Sequence, residues 1–478
     1  MFPSNTACDM RAGAEEAFSR TAGARLVEGN RIRLLRDARE NYPAWLEAVA
    51  AARHHVYFEN YFIQNDDTGR RFAEALTARA RAGVRVRLLY DWLGAFGKAS
   101  RGFWNRIRAG GVDVRVYNPP RPDSPFGWLS RDHRKTLSVD GRVGFISGLC
   151  VGKAWEGIPE KGIEPWRDTG IEVFGPSVAE IERAFAQVWA MTGEPIPEEE
   201  LSARPAPEPA GRTALRVVAS VPATAGLFRV DQLVAALARK RLWLTDAYFA
   251  GTSLYVQSLS AAARGGVDVR LLVPDGTDLP LIKPLSRAGY RPLLEAGVRI
   301  FEWNGTMLHA KTAVADGLWA RVGSSNLNLS SWMGNCELDA AVEDAQFARA
   351  MEAMFLEDLE NATEVVLGPG RKAPPAPRPR RHTPMTSGGG SAGRAAAGAV
   401  RIGNAVGAAL ATRRVLDPVE SRLMTASGAV FLVLALLAFL WPRALTYPLA
   451  ALFAWLAAVL LYRGWKLHRE NRRRRRKT

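Results

Sequence analysis

The sequence predicts an α/β protein made of two similar units, followed by a helical hairpin long enough to span a membrane. Three observations carry that prediction: an internal duplication over most of roughly the first 365 residues, a short motif standing at the same point of each copy, and two uncharged apolar runs near the C-terminus.

The duplication is read segment by segment. Each half opens on an aromatic, strand-like run, HHVYFENYFIQ at 54–64 and RLWLTDAYFAG at 241–251. An Ala-rich helical stretch follows, then a valine-leucine strand, AGVRVRLLYD at 82–91 and GGVDVRLLVPD at 265–275. A further helix and strand end in AGGVDVRVYNPP and EAGVRIFEWN. Strands alternating with helices in this way predict one α/β unit per half. We place them at 28–205 and 206–367, after a polar N-terminal segment, 1–27, that contains no secretory signal.

Beyond the second unit, residues 368–423 are rich in Pro, Gly, Ala and Arg and too poor in large apolar residues to form a core, so they read as a tether. Residues 424–441 and 444–462 are uncharged runs, each near the length of about 20 residues that crosses a hydrocarbon core. Pro442 and Arg443 lie between them, and Trp441 and Tyr462 sit where interfacial aromatics are favoured. The segment 424–462 is therefore predicted to be a transmembrane hairpin, with a polybasic tail at 463–478.

The net charge of +16 is not spread over the chain. Residues 371–422 carry +8 and residues 463–478 another +8, which leaves residues 1–370 with 44 basic and 45 acidic side chains. A near-neutral body argues against a nucleic-acid enzyme, and basic flanks on one side of a hairpin place both flanks in the cytoplasm, at the inner membrane of a multi-pass protein. The three cysteines, Cys8, Cys150 and Cys336, are too far apart for a zinc-ligand spacing and read as reduced thiols.

The first motif is His133-Arg134-Lys135, four residues, then Asp140; the second is His309-Ala310-Lys311, four residues, then Asp316. In a strand, side chains at i and i+2 share a face, so each copy projects an imidazole beside a fixed positive charge. Asp140-Gly141 and Asp316-Gly317 are hairpin-turn dipeptides followed by returning apolar strands, and both aspartates are expected to form turns and salt bridges rather than to perform chemistry. Six residues further on, the second copy has Gly323-Ser324-Ser325-Asn326, a small-residue turn in which Ser324 and Asn326 offer donors for phosphate oxygens. The first copy has Ser147-Gly148-Leu149-Cys150, and a cysteine lacks the amide donors of asparagine. The other four histidines, His54, His55, His382 and His468, stand in no such frame.

The doubled H-x-K-x4-D-x6-G-S-x-N pattern resembles the phospholipase D superfamily. Within it the chain is most similar to bacterial cardiolipin synthases, through EGNRIRLLRD, GVRVRLLYDWLGA, HRKTLSVDGRVGFISGL, WRDTGIEVFGP and MLHAKTAVADG with GSSNLN, over about residues 28–360. The chain departs from the pattern at Cys150, and its hairpin is C-terminal where longer members carry theirs N-terminally.

The resemblance implies two phospholipase D-like repeats related by a pseudo-twofold axis, with both motifs meeting in one cleft. It further implies phosphatidyl transfer through a phosphohistidine, with His133 as nucleophile and His309 as acid and base, although the residues themselves do not separate the two. Lys135 and Lys311 would neutralise the phosphate oxygens, Asp168 and Glu337 would orient the histidines, and no metal or other cofactor is required. Two histidines suit such chemistry, since one attacks while the other protonates the departing alkoxide, and the roles then reverse. The implied substrate is an anionic phospholipid, phosphatidylglycerol, converted in pairs to cardiolipin plus glycerol. Hydrolysis, transfer to another alcohol, and a non-catalytic membrane scaffold of the same fold remain the competing readings.

Overall fold

The computed structural model of the chain describes residues 16, 18–121, 129–202, 208–278 and 286–367, with scattered positions between 429 and 461. The tether, most of the hairpin, the tail, Cys8, His382 and His468 lie outside the described residues.

The first repeat supplies strands β1 (Val27–Arg36), β2 (His55–Asn60), β3 (Arg85–Asp91), β4 (Asp113–Tyr117), β5 (Lys135–Val139), β6 (Val143–Ser147) and β7 (Thr169–Phe174). The second supplies β8 (Thr213–Ser220), β9 (Arg241–Thr245), β10 (Asp268–Pro274), β11 (Arg299–Trp303), β12 (Thr312–Ala315), β13 (Trp319–Gly323) and β14 (Glu337–Glu343), and β15 (Ala362–Val365) closes the chain of strands. From the centre outward the order is β1-β7-β6-β5-β2-β3-β4 in one direction and β8-β14-β13-β12-β9-β10-β11-β15 in the other. The duplication seen in the sequence is thus a duplication of topology. Antiparallel pairing of β1 with β8, broken by a bulge between Val27 and Asn30, joins the two halves.

Within each repeat three strands run parallel, β2-β3-β4 and β9-β10-β11, because helices return the chain between them. Helix Asp67–Arg81 starts where Asp66 accepts from Gly69 N at 2.9 Å, and helix Arg101–Ala109 where Ser100 accepts from Phe103 N at 3.2 Å. In the second repeat Thr252 caps helix Ser253–Arg264 in the same way. The halves also pack face to face. Ile146, Ile171 and Val173 of the first repeat share a core with Val314, Val322, Ala340 and Val342 of the second, flanked by helices Val178–Met191 and Ala345–Glu360.

The turns after both motifs are as the sequence predicts. Asp140 and Gly141 have φ of 55° and 67°, and Asp316 and Gly317 of 54° and 68°, the left-handed pair of a two-residue hairpin. The expected salt bridges differ in detail: Asp140 accepts from the main-chain N–H of Arg53, His54 and His55 at 2.8 Å each, and Asp316 from those of Arg239, Lys240 and Arg241 at 2.8–2.9 Å. Each aspartate thereby fastens the start of β2 or β9. Burial works against the ionised form, but the three N–H bonds outweigh it and hold both carboxyls below the ordinary range.

Candidate active site

The histidines do not lie on the strands that follow them. β5 begins at Lys135 and β12 at Thr312, so His133 and His309 stand in the extended segments that lead in. Those segments are held by the opposite repeat. His133 N donates to Cys336 O at 2.9 Å and Cys336 N to Arg131 O at 2.7 Å; symmetrically, His309 N donates to Arg167 O at 2.7 Å and Arg167 N to Met307 O at 2.9 Å. Each motif therefore enters its strand across a short parallel bridge to the segment preceding β14 or β7.

The next residue in each bridging segment is a carboxylate. Glu337 follows Cys336, and His133 Nδ1 lies 3.1 and 3.0 Å from its two oxygens. Asp168 follows Arg167, and His309 Nδ1 lies 2.7 Å from its Oδ2. Each histidine is thus paired with a carboxylate of the other repeat. The crossing makes one centre from two halves. With Nδ1–H donating to the carboxylate, a neutral ring carries its lone pair on Nε2.

The carboxylates are oriented in turn. Trp155 Nε1 donates to Asp168 Oδ2 at 2.9 Å, whereas Glu337 accepts from Ser324 Oγ at 2.6 Å and from Asn335 Nδ2 at 3.2 Å. Ser324, expected from sequence to face a phosphate, thus serves the carboxylate instead. Asn326 is buried, and its Oδ1 has no hydrogen-bond partner among the described residues. Cys150 occupies the matching place in the first repeat and is also buried.

Both motif lysines reach back to the carbonyl of their own histidine, and Lys311 Nζ also lies 2.9 Å from His309 Nδ1. The rings of Tyr61 and Tyr248 stand edge-on to His133 and His309 at 5.0 and 5.9 Å, and Trp155 and Trp166 complete the wall around His309 at 5.3 and 5.7 Å. Trp155, Asn335 and the tyrosines carry no local sequence signal; they come together through the fold. Arg134, between His133 and Lys135, occupies the variable position of the H-x-K motif. It is fully buried, and its guanidinium donates to Ala184 O at 2.6 Å, Ser220 O at 2.9 Å and Glu337 O at 3.1 Å, so it fixes the main chain of His133's partner.

Charge follows from burial. Removal from water and the nearby Lys311 push His309 down to about 4, against the pull of Asp168. Burial raises Asp168, but His309, Lys311 and the Trp155 bond together hold it at about 2. At neutral pH this pair is a carboxylate and a neutral imidazole. Burial lowers Lys311 to about 8 and raises Glu337 above the ordinary carboxylate range. His55, by contrast, is a buried structural residue on Glu182 at 2.6 Å, and Asp140 and Asp316 lie at the far ends of β5 and β12 from the histidines. Two imidazoles on two carboxylates beside two ammonium groups are suited to moving a phosphoryl group between oxygens.

The fold and site define a class. The family described as cardiolipin synthase, PLD-like domain, matches residues 45–189 and 234–359, the two repeats in turn. A cardiolipin synthase of Alkalihalophilus pseudofirmus is 31% identical over 337 residues, 70% of this chain and 67% of that one. Cardiolipin synthase A of Pseudomonas aeruginosa is 33% identical over 360 residues, 73% of this chain and 71% of that one. Among solved structures, phosphatidylserine synthase of Haemophilus influenzae Rd KW20 superposes with a TM-score of 0.56 at 14% identity, covering 73% of this chain and 91% of that one, a likeness of fold. The chain belongs to the phospholipase D superfamily. Within it, the chain belongs to the cardiolipin synthase family and is an enzyme of that phosphatidyltransferase kind.

Proposed function

We propose that the chain joins two molecules of phosphatidylglycerol into cardiolipin, releasing glycerol, with a phosphatidyl group carried on His133. The crossed pairing of His133 with Glu337 and of His309 with Asp168 is the observation that supports this most. His133 Nε2 attacks phosphorus, the bond from phosphorus to the glycerol oxygen breaks, and His309 gives that oxygen its proton. The neutral His309 of the unliganded site takes up this proton as the anionic phosphodiester arrives, since a nearby negative charge favours the imidazolium. In the second half, His309 removes the proton of the acceptor hydroxyl, the new oxygen–phosphorus bond forms and His133 leaves. Lys135, Lys311 and Asn326 hold the equatorial oxygens. Each motif histidine is 5% exposed and each motif lysine 1%, and such exclusion of water favours transfer over hydrolysis.

The same proposal holds that residues 424–462 are a membrane hairpin and that the body faces anionic lipid from the cytoplasmic side. Among the described residues no helix is long and apolar enough to cross a membrane. The positions described between 429 and 461 are helical, and Leu432, Val433, Leu436, Leu440, Phe453 and Leu461 are each more than half exposed, as lipid-facing residues would be. The polybasic flanks would add about 1 kcal/mol of attraction per residue near an anionic surface.

The test is incubation of the full-length protein with labelled phosphatidylglycerol in mixed micelles containing excess chelator, beside His133→Ala and His309→Ala. Cardiolipin and free glycerol from the unmutated protein alone are expected. Phosphatidic acid in their place would mean hydrolysis, and no product from any phospholipid would favour a scaffold.

A further inference from the structure

Asp168 is held by its main chain as well as by its carboxylate. Its N–H donates to Asp37 Oδ1 at 2.8 Å, and its carbonyl accepts from Asp37 N at 3.0 Å. Asp37 stands directly after β1, beside the register pair of Arg36 and Thr169, with a φ of 51° that aspartate tolerates better than most residues.

The same carbonyl of Asp168 accepts from Arg167 Nη1, which also donates to Asp37 Oδ1 and to Thr169 Oγ1 at 3.1 Å each. The rest of the guanidinium faces the second repeat. Nε and Nη2 donate to Asp358 Oδ1 and Oδ2 at 2.8 and 2.9 Å, a two-bond fork whose planar geometry fixes both partners. Asp358 lies in the last turn of helix Ala345–Glu360, and it is buried. Burial and the negative end of the helix dipole both disfavour a carboxylate there, so its charge depends on the guanidinium. Burial likewise works against the charged Arg167, but Asp358 and Asp37 outweigh it and hold the guanidinium above the ordinary arginine value.

Three connections therefore meet at Arg167. Its carbonyl accepts from His309 N at 2.7 Å, its guanidinium carries the main chain of Asp168, and its charge is locked to the last helix of the opposite repeat. The His133 half is built differently. Cys336, which precedes Glu337 as Arg167 precedes Asp168, brings no guanidinium, and Glu337 O is held by Arg134, whose other bonds run to Ala184 O and Ser220 O. A change at Asp358 thus reaches His309 through Arg167 and Asp168 and leaves the hold on His133's partner in place.

We infer that Asp358 is a positioning residue for the acid of the reaction: through Arg167 it sets Asp168, and through Asp168 the imidazole of His309 that protonates the departing glycerol oxygen. The inference rests on the division of roles between the histidines proposed above. Loss of the clamp slows the step that needs a proton and spares the attack by His133.

The test compares two substrates on the full-length protein, with His309→Ala as the reference. Glycerol release from phosphatidylglycerol needs the proton, whether the intermediate then passes to a second lipid or to water. Nitrophenolate release from a phosphatidyl ester of p-nitrophenol does not, and the size of its first-turnover burst counts the competent sites. Per competent site, Asp358→Asn is expected to lower kcat for glycerol release on the order of tenfold, with KM and the burst rate each within about twofold of normal. Asp358→Glu, which keeps the charge, should recover most of the loss. Should Asp358→Asn fail to fold, Arg167→Lys carries the same test, since it keeps a cation and loses the fork. Equal slowing of both substrates would mean a structural role alone and overturn the inference, as would an unchanged glycerol release. If His309→Ala itself slows both substrates alike, the assignment of His309 as the acid is what fails, and the positioning role falls with it.

Discussion

Gly148 lies against the carboxylate of Asp168 so closely that a Cβ at residue 148 would overlap Oδ1 and stand 3.0 Å from Cγ. At the equivalent point of the second repeat, Ser324 carries a side chain and donates it to Glu337 at 2.6 Å. The two half-sites solve the same problem differently: Asp168 is set by packing and by Trp155, Glu337 by hydroxyl and amide bonds.

Gly148→Ala therefore displaces Asp168 and with it His309. We expect about 1–3 kcal/mol of destabilisation from overpacking, and a fall in kcat on the order of a hundredfold from the misplaced imidazole. Thermal unfolding and steady-state rates check the two effects separately.

Asp168→Asn keeps the shape of the side chain and removes its charge. The amide cannot hold Nδ1–H as the carboxylate does, so the imidazole loses its fixed tautomer and kcat should drop on the order of 10³-fold while the fold persists. Glu337→Gln should do less harm, since burial already lifts Glu337 toward the neutral form. Equal losses in the two variants would contradict this.

The depressed Lys311 predicts a pH limit. A lysine lowered to about 8 loses its ammonium as pH rises through that value, and phosphate binding is lost with it. Activity in kcat/KM should therefore decline above about pH 8, well below the ordinary range of lysine at about 10.4. Stability has a separate signature. His309 is lowered to about 4, so between its ordinary value and 4 the unfolded chain takes up a proton that the folded site refuses. Lowering the pH through that window should destabilise the unmutated protein relative to His309→Gln, as followed by urea unfolding.

Arg134→Met should be among the most destabilising single changes at the site, by about 3–5 kcal/mol, because it leaves buried carbonyls without a donor and removes the charge that faces the buried Glu59 and Asp132. Denaturant titration gives the value. A loss under 1 kcal/mol would show that the guanidinium does not hold the repeats in register.

The two α/β repeats were legible because the same order of strand and helix recurs with the motif at the same point, and the face of a strand is set by a period of two. Asp140 and Asp316 were legible as turn residues for an equally local reason. Partnership across the interface was not. That Glu337 reaches His133 and Asp168 reaches His309 depends on two main-chain bridges between residues more than a hundred positions apart, which no spacing encodes. Ser324 illustrates the limit: its residue type suited a phosphate, but a carboxylate of its own repeat lies nearer. Arg134 carries no local sequence signal because its role comes from what packs around it. The predicted membrane hairpin lies mostly outside the described residues.

The most direct test of the crossed site uses a phosphatidyl ester of p-nitrophenol, whose leaving group needs no proton, with the His309→Ala variant. The account predicts a burst of one nitrophenolate per protein and a stable phosphatidyl adduct located on His133 by peptide mass. Turnover without an adduct, or an adduct on any other residue, would contradict it.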